Sequence, residues 1–337
     1  MKEAMFYKKL SDNKVKCNLC NHQCIIKDGN YGICGVRQNI DGSLFTLVYD
    51  KIIASHIDPI EKKPLFQFFP GSKAYSIATV GCNFTCKHCQ NYDISQLSTE
   101  KEKYIVGTKI SPEEIVREAD NSGCKSIAYT YTEPTVFFEL AYDTAKIAHR
   151  KQIKNVFVSN GFMTPEALRE ISPYLDGINI DLKAFTDSFY KEICGGRLTP
   201  VLENIKLAKE LGIWVEVTTL IIPTLNDSKD ELQQIAKFIG DVDKNIPWHI
   251  SQFYPTYKLT EQPRTPIETL HMARKIGIDA GLHYVFEGNV PGQGNESTYC
   301  YNCGELLIER WGYSIVKNII EDGYCPTCKS PVAGVGL

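Results

Sequence analysis

Cys82, Cys86 and Cys89 form a C-x3-C-x2-C run behind Gly81, just after an apolar segment. Three thiolates this close can hold three corners of a cuboidal four-iron cluster, and no fourth cysteine lies nearby in the sequence to close it. The fourth iron is then left for an outside ligand, which makes it a reactive position. A site closed by four cysteines instead transfers electrons or holds structure. The competing reading is a zinc site of the same three cysteines plus His88, because ligand type alone does not separate zinc from iron–sulfur.

The elements that would position this loop alternate between strand and helix. Strands are expected at 73–80, 125–131, 154–158, 177–182, 213–222 and 248–254, with a short one at 283–286. Helices are expected between them. Ser111-Pro112 with Glu114 reads as a capping box, and Thr135–His149 has apolar helical spacing. Further helix starts are read at Thr164-Pro165-Glu166, Thr199-Pro200, Ser228 with Glu231, and Thr265 with Glu268. Six β/α units in series predict an α/β class core, a parallel sheet curled into a partial (β/α)6-type barrel over 71–290.

On such a scaffold chemistry gathers where strands end. After the second strand comes Tyr131-Thr132-Glu133-Pro134, after the third Ser159-Asn160-Gly161, and the fourth ends Asp181-Leu182-Lys183. A carboxylate holds an ammonium or a ribose hydroxyl, and a lysine holds a carboxylate. These are the groups of S-adenosylmethionine (SAM), whose amino and carboxylate groups can chelate a vacant iron. Each turn alone is ordinary loop chemistry; their common placement around one open cluster is what points to SAM.

Composition sets the class. The chain has 337 residues, 43% hydrophobic and 23% charged, with a formal net charge of −3. That supports a sizeable core and gives no sign of a nucleic-acid or membrane surface, although nucleic acid is not excluded. The start lacks the apolar stretch of a signal peptide, and no run approaches a membrane span, so the expectation is a soluble cytoplasmic protein with no membrane partner.

Thirteen cysteines fall into groups. In a chain expected to stay reduced, such groups read as metal ligands more than disulfides. Cys300-x2-Cys303 and Cys325-x2-Cys328 have zinc-ribbon-like spacing, so residues 291–337 are expected to form a structural zinc module. Cys17, Cys20, Cys24 and Cys34 mark a second module over 1–70. Zn2+ is favoured there, with an auxiliary iron–sulfur cluster as the alternative. Cys124 reads as a core thiol and Cys194 as a candidate hydrogen-atom donor. Phe66, Phe68 and Phe69 read as packing between the N-terminal module and the barrel. His249, His271 and His283 read as structural.

The cysteine run is the signature of radical SAM enzymes, and the core resembles the activating enzymes of glycyl-radical proteins. Their Asp-Leu-Lys is matched by Asp181-Leu182-Lys183 and their Asn-Gly-Phe by Asn160-Gly161-Phe162; their Gly-Gly-Glu-Pro is matched only in part by Tyr131-Thr132-Glu133-Pro134. The sequence resembles more closely the AmmeMemoRadiSam system radical enzymes. That resemblance rests on Cys17–Arg37, Asp58–Leu65, Phe69-Pro70-Gly71, Gly288–Gly292 and Thr298-Tyr299-Cys300. It implies a [4Fe–4S] cluster on Cys82, Cys86 and Cys89 and reductive cleavage of SAM. The product would be a 5′-deoxyadenosyl radical that abstracts hydrogen from a substrate the sequence does not name. Thr132 and Glu133 would meet the methionine amino group, and Asn160, Asp181 and Lys183 its carboxylate and the ribose. His88 would shield the cluster and touch the adenine.

The partners so implied are an electron donor such as flavodoxin or ferredoxin, and Memo-like and AMMECR-like proteins. Two other readings stay open. One is a glycyl-radical enzyme activase. The other, outside enzymes, is an iron–sulfur electron carrier or a zinc-organised binding scaffold.

Overall fold

The computed structural model describes residues 1–97, 105–290, 292 and 295–337. Pro291, within the Gly288–Gly292 stretch singled out above, lies outside the described residues.

One eight-stranded sheet organises the chain. Its strands are β1 (Ala54–Pro59), β2 (Lys73–Ala78), β3 (Ser126–Tyr129), β4 (Lys154–Ser159), β5 (Gly177–Asp181), β6 (Trp214–Ile221), β7 (Trp248–Gln252) and β8 (Val285–Gly288). They lie in chain order across the sheet. β2 to β8 are parallel, and β1 is antiparallel on the edge beside β2. Among the described residues no pairing joins β1 to β8, so the sheet is open in its hydrogen bonding. β1 comes from the segment that the sequence division assigns to the N-terminal module.

Each parallel step is bridged by a helix: α1 (Pro112–Asn121), α2 (Phe138–Arg150), α3 (Pro165–Ile171), α4 (Leu198–Glu210), α5 (Lys229–Val242) and α6 (Ile267–Asp279). Local signals set half of their starts. Ser111 and Glu114 close the expected capping box, and Thr164 and Ser228 cap α3 and α5 through their side chains. Three starts differ from expectation. The segment after Glu133 opens with a 3-10 turn, Pro134–Phe137, before α2. α4 begins at Leu198, ahead of Thr199-Pro200. α6 is not capped by Thr265, whose hydroxyl accepts the Phe253 N–H and donates to the Ile221 carbonyl. Tertiary partners at the ends of β6 and β7 take the group that the helix would have used.

β2 to β7 read almost continuously buried, as strands covered on both faces should. Their side chains share one core with Val15, Leu19, Ile26, Val36 and Leu44 of the N-terminal region, which adds two three-stranded sheets. A smaller cluster joins Phe66 and Phe286 to Leu307, Ile308, Cys300 and Cys325, so the C-terminal three-stranded sheet packs beside β8. Phe66 therefore ties the sheet to the C-terminal module, not to the N-terminal one. Its ring lies 4.9 Å from Phe286 and 4.6 Å from the buried Arg310 guanidinium.

Candidate functional site

The cysteine loop leaves β2 through Gly81, whose φ of 98° only glycine adopts freely. Its shape comes from a distant partner. The Thr85 N–H donates to the Cys194 carbonyl at 2.8 Å and the Lys87 N–H to the Ile193 carbonyl at 2.9 Å. Tyr190–Cys194 is a single π turn, a kind of irregularity often kept at functional sites. It ends at Gly195 and Gly196. A Cβ on Gly195 would stand 2.5 Å from Thr85 Oγ1, and one on Gly196 would stand 2.4 Å from the Phe84 ring. The two glycines let turn and loop touch backbone to backbone. Phe84, buried, is wedged between Phe162 and Tyr190.

All three sulfur-bearing residues open onto one cleft of about 480 Å³, which His88, Thr132, Glu133, Asn160, Asp181 and Lys183 also line. The structure thus brings together every rim residue singled out in the sequence. Among the described residues the sulfurs of Cys82, Cys86 and Cys89 do not all lie within 4.8 Å of one another, so no single-ion site on these three and His88 is preassembled. The open cleft that they share has room for a cluster in which each cysteine has its own iron.

A different trio, Cys86, His88 and Cys194, does come within 4.8 Å. A hydrogen bond from Cys194 holds the Cys86 thiol below its usual pKa despite burial. Cys194 is buried and is not among the cleft-lining residues. Burial, helped by Lys183, pushes His88 down to about 3, so its ring is neutral, and among the described residues its buried Nδ1 has no partner.

The rim turns are tied to each other. Glu133 is buried, and its carboxylate accepts from Thr135 N (3.0 Å), Thr135 Oγ1 (2.5 Å), Ser159 Oγ (2.8 Å) and Asn160 N (2.8 Å). Burial nonetheless pushes its pKa up. Its side chain pins the β3 loop to the end of β4. Asn160 continues the chain of contacts, donating from Nδ2 to Asn83 Oδ1 at 2.7 Å, beside Cys82. Lys183 Nζ meets Asp181 at 2.8 Å. Burial alone would lower its pKa, but Asp181 and the nearby thiols more than offset that and raise it well above normal.

Tyr131 stands where the resemblance calls for a glycine. Its φ is 62°, the left-handed region that costs a side-chain-bearing residue about 1–2 kcal/mol. The surroundings hold it there. Its carbonyl accepts from Asn91 Nδ2 at 2.7 Å, its hydroxyl donates to Asp58, and Lys63 Nζ lies 4.4 Å above its ring. Asp58 is in turn paired with Lys63 at 2.7 Å and Lys62 at 2.9 Å. This network gives the Asp58–Leu65 stretch a role that sequence reasoning did not find, and Lys62 and Lys63 both line the cleft. Its one visible signal was the two adjacent lysines four and five residues after an aspartate.

The flanking cysteines differ from each other. Cys300 and Cys328 are 3.5 Å apart, Cys303 and Cys325 3.7 Å, and all four sulfurs lie within 4.8 Å. Bonding to Ser330 lowers Cys328 to about 5, a thiolate ready for a cation. Cys17, Cys20, Cys24 and Cys34 line one pocket, yet among the described residues no three of their sulfurs come within 4.8 Å. Cys124 is a buried thiol. His249 bonds Glu216 at 2.6 Å deep in the sheet, and His271 and His283 bond Glu287 and Asn245.

Residues 76–239 match the profile of the radical SAM superfamily. The chain is 50% identical over 331 residues to an uncharacterized protein of Methanocaldococcus jannaschii, covering 97% of this chain and 98% of that one. It is 24% identical over 169 residues to the pyruvate formate-lyase-activating enzyme of Clostridium pasteurianum, covering 48% of this chain and 67% of that one. The crystal structure of a radical SAM methyltransferase from Sphaerobacter thermophilus superposes with a TM-score of 0.51 at 14% identity, covering 66% of this chain and 68% of that one. Residues 76–239 thus form a radical SAM superfamily domain, and the chain is related to pyruvate formate-lyase-activating enzymes. The superfamily fold implies a [4Fe–4S] cluster and SAM.

Proposed function

We propose that the protein cleaves SAM reductively at a [4Fe–4S] cluster held by Cys82, Cys86 and Cys89. When bound, the cluster and SAM supply a 5′-deoxyadenosyl radical able to abstract hydrogen from a substrate C–H. The observation that carries this reading is the shared cleft: Cys82, Cys86 and Cys89 line it together with Thr132, Asn160, Asp181 and Lys183. Lys183 offers a fixed cation and Asp181 a half-buried anion, the pair needed to orient a zwitterion. Glu133 acts through the loops that it joins. His88, neutral and facing the cleft, offers a ring surface. Phe84 walls the loop from behind.

In this reading the sheet curls as a partial barrel and the C-terminal four-cysteine site holds zinc in a ribbon. The motif resemblance further supports an AmmeMemoRadiSam setting, with Memo-like and AMMECR-like partners, a flavodoxin- or ferredoxin-type donor and a cytoplasmic location.

The test is air-free purification, metal counting and an assay for 5′-deoxyadenosine with SAM and dithionite. Cys86→Ala removes that product while zinc stays bound. Undiminished product in the variant refutes the assignment. The similarity to an activating enzyme supports a second reading, a glycyl-radical activase; a glycyl radical signal on a co-purified protein partner would decide for it. One zinc on Cys86, His88 and Cys194, without four-iron spectra, would mark a metal-organised scaffold instead.

A further inference from the structure

We propose that Cys17, Cys20, Cys24 and Cys34 hold a second iron–sulfur cluster, in place of the zinc expected from sequence, and that it feeds electrons to the Cys82–Cys89 loop. The first part stands on its own geometry, and the second rests on the function proposed above.

The molecule contains its own comparison. A zinc–thiolate bond of about 2.3 Å in a tetrahedron sets neighbouring sulfurs about 3.8 Å apart. The C-terminal four obey this, at 3.5 and 3.7 Å. The N-terminal four line a single pocket, but among the described residues no three of them reach that grouping. The same holds for Cys82, Cys86 and Cys89, whose three sulfurs do not all lie within 4.8 Å of one another. In a cuboidal cluster each cysteine takes a separate iron, so its thiolates stand further apart than around one ion.

Gly32 lies beside two of the sulfurs: a Cβ there would touch Ile26 Cδ1 at 3.4 Å, Cys34 Sγ at 3.8 Å and Cys24 Sγ at 3.9 Å, so a larger side chain would crowd this wall. The pocket walls include Leu19, Ile26 and Val136, all buried and apolar. Arg37 also lines it, 1% exposed; its guanidinium pairs with the buried Glu139, and among the described residues its Nε has no protein partner. An apolar wall with one spare buried N–H donor suits a cluster, whose potential follows its burial and its hydrogen bonds.

The position explains the purpose. His22, between Cys20 and Cys24, places Nε2 2.7 Å from the carbonyl oxygen of Asn83, the residue after Cys82. Its ring lies 4.9 Å from Phe162, and Cys20 pairs with Met163 in an antiparallel bridge. The N-terminal cysteines thus sit on the loop after β4, at the back of the cysteine loop. Outward, the pocket is bordered by Ile33, 50% exposed, which gives a docking donor a short approach. One electron enters from a soluble one-electron reductant and leaves toward Cys82; no bond forms or breaks and no proton moves.

The deciding material is the full chain with Cys82, Cys86 and Cys89 all changed to Ala, reconstituted without air, which leaves the N-terminal site untouched. It should retain roughly half of the wild-type iron and, after dithionite, a four-iron resonance that SAM does not alter. Zinc should remain at the C-terminal site. Zinc at both flanking sites and no iron in this variant overturns the proposal. Cys20→Ser/Cys24→Ser in the otherwise native chain should lose the complementary half and keep the SAM-sensitive resonance; loss of neither half also overturns it. Failure of the catalytic reading would appear differently, as a wild-type spectrum insensitive to SAM with the triple variant's iron unchanged.

Discussion

Asp58→Asn tests the device that holds the cleft rim. The change keeps the volume of the side chain and removes its charge. In the native protein Asp58 accepts from Lys63 at 2.7 Å, from Lys62 at 2.9 Å and from the Tyr131 hydroxyl. The Lys63 side chain is 2% exposed, so water cannot replace the lost carboxylate. At an effective dielectric near 20, charges about 2.7 Å apart attract by about 6 kcal/mol, much of it offset by desolvation. Removing one partner of a buried pair leaves a net loss of about 3–5 kcal/mol.

Against the roughly 5–15 kcal/mol that holds a folded domain together, a loss of that size is readily measured by denaturant titration with tryptophan fluorescence.

The pH dependence has two limbs. Burial alone would raise the Asp58 pKa, but Lys63, Tyr131 and Lys62 hold it well below the usual carboxylate range. The stability it gives is therefore present above the unfolded value of about 3.9 and is lost as pH falls toward the folded one. The gap between variant and native protein must close in acid. Burial also pulls the Lys63 ammonium below its normal pKa, further so without Asp58. A lysine with a lowered folded pKa gains stability as pH rises through it, so the gap narrows again toward pH ~10. A difference below about 0.5 kcal/mol at pH 7, or one flat from pH 7 to 10, refutes the reasoning.

Gly196→Ala drives a Cβ into the Phe84 ring and should cost about 1–3 kcal/mol, with iron retention after reconstitution falling alongside stability. Glu133→Gln turns an amide toward one of the N–H or O–H donors that the carboxylate now satisfies. It should destabilise by about 1–3 kcal/mol and weaken SAM binding in calorimetry, while leaving iron content intact. Chelation of zinc should free the backbone amides of the C-terminal strands to exchange in deuterium labelling and expose Phe66 and Leu307. The iron spectra should not change, because this cluster of side chains is separate from the cysteine loop.

What the sequence made legible was local. The cysteine run, the Asp181-Leu182-Lys183 strand end, the capping box at Ser111 and the side-chain cap at Ser228 each depend on residues a few positions apart, and each lies where its pattern places it. Thr265 shows the limit: its cap pattern is sound, but two carbonyl and amide partners from other strands claim its hydroxyl. The Asp58–Tyr131 bond spans 73 positions, and the turn at Cys194 grips a loop in a different β/α unit. No spacing rule encodes such meetings, since they exist only once the sheet has ordered its strands. The zinc expectation for Cys17–Cys34 rested on the segment reading as a small stapled module; ligand identity is shared by zinc and iron, and how the four sulfurs stand relative to one another is a property of the fold.

The grip of Ile193–Gly196 on Thr85 and Lys87 also dictates a sequence of events in the cell. A nascent chain that has emerged only as far as its first strands carries the three thiols without the surface that moulds them. Metal loading must then wait until the fourth parallel strand and its trailing turn have arrived. Maturation factors would accordingly meet a body already largely assembled.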